Sequence, residues 1–162
     1  FGLWHEHHRP DRDQYLWFNC PALPGYDAAK QKVVKEGKHT MEEVCASSII
    51  AALYGFEMIK DYDTIDHLDP ASPVNGQNWY WLQSWADRDY DENSIMHYDS
   101  HLAKWDHDEI MSGRLALWKY RGPDYMPPKT FTKDDLEICY VNYDPTASDI
   151  EGIKKIYAWS KP

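Results

Sequence analysis

The run Gly2-Leu3-Trp4-His5-Glu6-His7-His8-Arg9-Pro10-Asp11-Arg12-Asp13 constrains this chain more than any other stretch. A glycine followed by two residues and then His-Glu matches the second half of the spacing H-E-x-x-H-x-x-G-x-x-H. In that spacing, two histidines four apart share one face of a helix. A glycine then ends the helix, because it tolerates φ > 0, and the chain turns back to carry a third histidine to the first two. Gly2 and His5 stand in the last two places. Phe1 to Asp13 is therefore expected to be a turn leading out of a helix. The first six motif positions, two histidines and a glutamate among them, would precede Phe1.

The chemistry of such a turn is metal binding. A catalytic zinc takes three protein ligands and keeps a fourth position for water. His5 is the candidate third ligand. The plainer reading is a surface histidine in the polar cluster His5, Glu6, His7 and His8. A separate metal site made of His5, His7 and His8 is disfavoured, since adjacent histidines seldom face one ion together.

Composition narrows the surroundings. The chain has 162 residues, 43% hydrophobic and 15% aromatic, with 8 Trp and 12 Tyr, enough for one domain or most of one with a real core. Its formal charge of -10 opposes nucleic acid or an anionic membrane as partner, because those contacts need clustered Lys and Arg. No apolar stretch approaches the ~18–20 residues of a membrane span. Three cysteines occur, Cys20, Cys45 and Cys139, without a CxxC, which argues against a structural zinc site. The odd number fits free thiols, or one pair and a cysteine left over.

Along the chain, Tyr15-Leu16-Trp17-Phe18 reads as a short strand. Asp27 can cap a helix over residues 28–36 that Gly37 ends. Thr40-Met41-Glu42-Glu43 is a capping box. Behind it Met41, Val44, Cys45, Ile49, Ala52, Leu53 and Phe56 keep helical spacing. Residues 61–93 and 113–128 read as loops, the first carrying Trp79, Trp81 and Trp85. A short helix is expected within 132–143. Ser148 to Glu151 forms another capping box, followed by a stripe of Ile150, Ile153, Ile156 and Tyr157. The expected fold class is α+β, mostly helices and long irregular loops with little strand.

The opening run, taken whole, resembles the astacin family of zinc endopeptidases. That family continues past the third histidine as H-E-x-x-R-x-D-R-D, matched here by His5, Glu6, Arg9, Asp11, Arg12 and Asp13 with Gly2 in front. A second constellation, Ser94-Ile95-Met96-His97-Tyr98 with Tyr90 before it, resembles the family's Met-turn. A weaker third match is the closing helix over about 148–157. The resemblance implies a metzincin-like C-terminal subdomain, residues 1–162 being a single partial domain whose N-terminal sheet and most of whose active-site helix precede Phe1. It implies one zinc ion held in part by His5, and Met96 as an apolar floor beneath the histidines. Tyr98 would be an extra, displaceable zinc ligand that hydrogen-bonds the developing oxyanion, a contribution of ~3–4 kcal/mol in other proteases. Glu6 would be a buried partner of the mature N-terminus, and Arg9, Asp11, Arg12 and Asp13 a charge network fixing the turn. His97 is left unassigned, with a place in the pocket wall or in support of the ligands expected rather than that of a ligand.

The implied activity is peptide-bond hydrolysis by metal-activated water, with a protein or peptide substrate and a secreted location. Residues 99–118 would wall the pocket past the scissile bond. The present residues alone are expected to bind zinc weakly and to lack peptidase activity. The 91 residues from His5 to Met96 exceed the family's usual spacing, which implies an insertion over about 21–89. Cys20 and Cys45 could close that insertion as a disulfide, whereas Cys139 precedes the closing helix and does not match the family's last cysteine. Two other readings compete. One is a non-catalytic fragment or degenerate homologue acting as an interaction module. The other is a carbohydrate-binding or glycoside-hydrolase domain, in which Trp79, Trp81 and Trp85 would stack on sugar rings.

Overall fold

The computed structural model describes residues 5–64, 89–101, 115–121 and 132–157. Gly2, Trp79, Trp81 and Trp85 lie outside them, as do residues 65–88 of the expected insertion. Among the described residues the fold is α+β: three short strands and four α-helices, tied by 3-10 turns. None of these helices is long and apolar enough to cross a membrane.

The sheet forms from distant pieces. Strand β1, Leu16–Phe18, pairs antiparallel with β2, Leu117–Tyr120, with Leu16 opposite Lys119 and Phe18 opposite Leu117. β2 pairs antiparallel with β3, Leu136–Ile138, with Tyr120 opposite Leu136. The order β1-β2-β3 puts β2 in the centre. β1 matches the apolar run read from sequence. β2 does not: it falls inside a stretch expected to be irregular. β3, preceded by a 3-10 turn at Lys133–Asp135, stands where a short helix was expected.

Helix α1, Tyr26–Glu36, starts two residues earlier than expected, its cap being Gly25 at φ 92° rather than Asp27. It buries Ala29 and Val33, one turn apart on one face, and ends at Gly37, whose φ of 64° favours a residue without Cβ. The expected long helix after Thr40 is two. α2, Met41–Ala46, has the full Thr40–Glu43 capping box. The chain then extends at Ser47, whose hydroxyl caps α3, Ser48–Leu53, by accepting the Ile50 N–H at 3.4 Å. That break rotates the second half. Val44, Ala51, Tyr54 and Phe56 face the core, while Ile49 and Leu53 are each 69% exposed.

Leu16, Leu117, Val33, Val44, Phe56 and Ile59 build one core between the sheet and these helices. The bond between Cys20 and Cys45 ties the end of β1 to α2, with Cα atoms 6.0 Å apart. Cys139 is a buried free thiol whose pKa burial pushes up to about 11. Helix α4, Ala147–Ile156, begins two residues before the expected cap, at Thr146 with Asp149 completing the box. Its inward residues include Asp149 and Gly152, whereas Ile150 and Tyr157 are about half exposed.

Candidate metal centre

Two segments far apart in sequence meet at the site. The first is a pair of 3-10 turns, Glu6–His8 and Arg12–Gln14. The second is the tight turn over residues 94–97. They join through one carbonyl. The oxygen of Met96 accepts the N–H of Glu6 at 3.1 Å and a bond from His5 Nδ1 at 3.0 Å. A carbonyl only accepts, so Nδ1 carries the proton and the His5 Nε2 lone pair remains available. A metal-ligating imidazole ordinarily needs this arrangement, with the second nitrogen donating to a fixed acceptor. The Tyr98 ring lies against His5, with centroids 4.4 Å apart, and against His7 at 4.0 Å. Burial first, then nearby Asp61, raises the Tyr98 pKa, so its hydroxyl keeps a proton to donate at neutral pH.

His7 and His8 point to other work. His7 Nε2 donates to the Asp61 carbonyl at 3.0 Å, and His8 Nδ1 donates to the Asp63 carbonyl. Between them the Tyr62 carbonyl accepts from Arg12 Nη1. Three side chains of the opening run thus hold three successive carbonyls at 61–63. Desolvation lowers both imidazole pKa values, that of His7 far below 6.5 and that of His8 to about 4, so both stay neutral near pH 7. Among the described residues His7 Nδ1 is buried without a hydrogen-bond partner.

Among the charged residues Glu6, Arg9 and Arg12 are buried, Asp11 is part-buried and Asp13 is exposed. Arg9 and Arg12 are each only 5% exposed. Arg9 grips Asp11 with two bonds of 2.8 Å and reaches Glu6 at 3.1 Å and the Asp89 carbonyl at 3.2 Å. Burial works against the charge on Arg9, and its bonds to Asp11 and attraction to Glu6 outweigh that, raising its pKa. Arg12 pairs with Asp13 at 2.8 Å and lies over the Phe18 ring. Glu6, fully buried, also accepts the Asp91 N–H at 3.0 Å, which ties the opening run to the chain just before the tight turn.

Comparison with family models, with curated proteins and with solved structures finds no match for this chain. The site therefore stands on its own geometry.

That geometry gives His97 a place sequence reasoning left open. Its Nδ1 donates to the Tyr98 carbonyl at 2.7 Å, so its Nε2 accepts from the Tyr90 hydroxyl at 2.8 Å. Both nitrogens are engaged, and burial lowers its pKa. Tyr90 in turn stacks on Tyr15 at 4.4 Å and lies under Arg9. His97 thus ties the tight turn to Tyr90, and Tyr90 carries the contact to the opening run. The fit to zinc rests on the donor set: one imidazole in the correct tautomer with a phenol beside it. Among the described residues no group of three His, Cys, Asp or Glu side chains is placed to hold a metal ion. His5 would need partners from elsewhere, as the motif spacing implies.

Proposed function

We propose that this chain is the C-terminal part of an astacin-like zinc metalloendopeptidase domain, acting on peptide bonds of proteins or peptides in a secreted setting. The observation that carries the reading is the meeting of the two motifs. His5 and Tyr98 lie 93 positions apart in sequence (98 − 5), yet their rings are 4.4 Å apart, and His5 leans on the Met96 carbonyl. Neither contact is required by local structure.

Zinc, when bound, supplies a Lewis acid for the substrate carbonyl and a more acidic water. The residues of this chain have simpler tasks. His5 presents Nε2 with its ring orientation fixed from behind. Tyr98, beside His5 and with its pKa raised, keeps its proton and would donate it to an oxygen on which charge develops. Glu6, Arg9, Asp11 and Arg12 keep the turn rigid, so that the ligand needs no rearrangement. On this reading the motif's other two histidines and its glutamate would stand at positions before Gly2.

The test is metal analysis and casein hydrolysis. A protein carrying this chain behind a complete H-E-x-x-H is expected to hold one zinc per chain and to cleave casein. The 162 residues alone are expected to do neither. A complete motif that leaves the protein free of zinc would defeat the reading, and so would tight zinc and proteolysis from the 162 residues alone. A motif position replaced upstream would make the protein a non-catalytic homologue.

A further inference from the structure

Helix α4 begins behind the metal centre. Its third residue, Asp149, is 1% exposed and closes a capping box by accepting the Thr146 N–H at 3.0 Å. Two other capping boxes in the chain, Thr40–Glu43 and Thr132–Asp135, do the same job while exposed. A helix start does not require its carboxylate to be buried, and burial without compensation is costly.

The burial of Asp149 has a second purpose. Its Oδ1 accepts the Ser94 hydroxyl at 2.5 Å, and its Oδ2 accepts the Ile95 N–H at 3.0 Å. Ser94 Oγ, oriented by that bond, accepts the Met96 N–H at 3.0 Å. Three successive residues of the tight turn are thus held by one carboxylate, directly or through one hydroxyl. The next polar group along is the Met96 carbonyl, which fixes His5. A parallel tie runs from the Thr146 hydroxyl to Asp91 at 2.5 Å, and from the Asp91 N–H to Glu6.

We propose that Asp149 is a positioning residue of the metal centre: through Ser94 and Ile95 it sets the Met96 carbonyl, and through that carbonyl the tautomer and ring orientation of His5. The hold on His5 stands on geometry alone. Its consequence for zinc rests on the proposed function.

The experiment has two arms. In the metal-free 162-residue chain, the His5 imidazole is read by long-range nitrogen–proton correlation NMR. The parent is expected to show a single Nδ1-protonated tautomer. Asp149→Ala and Ser94→Ala are expected to mix the two tautomers, and Asp149→Asn to restore most of the parent signal. Thr40→Ala, which loses a comparable capping box on α2, is expected to leave it unchanged. In a protein with the complete motif, Asp149→Ala and Ser94→Ala are expected to weaken zinc binding ~10–100-fold. kcat falls with KM nearly constant, and Asp149→Asn recovers most of the loss. Should Asp149→Ala fail to fold, Ser94→Ala decides, since it keeps the helix cap. An unmoved His5 signal in Ser94→Ala, or an equal change in Thr40→Ala, overturns the proposal. A His5 signal that moves as expected in a protein that never binds zinc leaves the positioning intact and removes the peptidase reading.

Discussion

Replacing Glu6 by alanine probes the joint between the two segments. The carboxylate is fully buried, and among its bonds are those from Arg9 Nη1 at 3.1 Å and from the Asp91 N–H at 3.0 Å. A hydrogen bond to a charged group contributes about 1.5–3 kcal/mol, and a buried N–H left without an acceptor costs about 1–3 kcal/mol. Arg9 is not stranded, because Asp11 and the Asp89 carbonyl still hold it. The expected loss for Glu6→Ala is therefore about 3–5 kcal/mol, in the range for breaking a buried pair. Glu6→Gln keeps an acceptor for Asp91 and should cost about half as much. Urea unfolding followed by tryptophan fluorescence measures both, and a double-mutant cycle with Arg9→Met isolates the pair. Coupling of about 1.5–3 kcal/mol is expected. A loss under about 1 kcal/mol for Glu6→Ala, or additivity within about 0.5 kcal/mol, would refute the claim that this lattice holds the turn.

Three further outcomes follow from the same contacts. The Cys20–Cys45 bond closes a 25-residue separation, and its removal as a double alanine variant should cost about 3 kcal/mol in the same unfolding assay, with no change in midpoint counting against it. His8 titrates near 4 in the fold against 6.5 when unfolded, so the unfolded chain binds the extra proton; stability is full above 6.5 and lost as pH falls towards 4. That loss is about 3 kcal/mol from His8 alone at 1.36 kcal/mol per pH unit, His7 adds to it in the same direction, and a flat unfolding midpoint between pH 7 and 4.5 would contradict it. In a protein with the complete motif, Tyr98→Phe should lower kcat by ~10²–10³ while the zinc content stays at one per chain, and activity within a few-fold of the parent would remove Tyr98 from the mechanism.

Local signals in the sequence located local structure. The Thr40–Glu43 box, the glycine stop at Gly37 and the β-prone run before Asn19 each involve residues that touch within one or two turns. Where two local signals compete, sequence gives no ruling. Ser148–Glu151 and Thr146–Asp149 are both capping boxes. The second forms, because Asp149 also finds Ser94 and Ile95 across the fold. Likewise, a periodic stripe from Met41 to Phe56 hides the cap at Ser47, which resets the helix and turns Ile49 and Leu53 outward. β2 was illegible because a four-residue strand in the middle of a sheet owes its form to two partners that the sequence does not place beside it. At the site, the residue types and spacing of His5, Met96 and Tyr98 were visible, and their convergence was expected only through resemblance. The roles of His97 and Asp149, and the hold of His7, His8 and Arg12 on residues 61–63, carried no signal, since each depends on a distant backbone group.

The pairing of β1 with β2 spans about a hundred residues, Leu16 to Lys119, and β3 and α4 come later still. Contacts of such long sequence separation make folding slow, because loop closure must come before the sheet gains anything from it. On a ribosome adding ~5–20 residues per second, β1 waits several seconds for its partner. For most of that interval, until residues 94–97 are made, the opening run and helices α1 to α3 exist without the turn that fixes His5. On the proposed function, His5 becomes a fixed ligand only once residues 94–97, and Asp149 behind them, have been added.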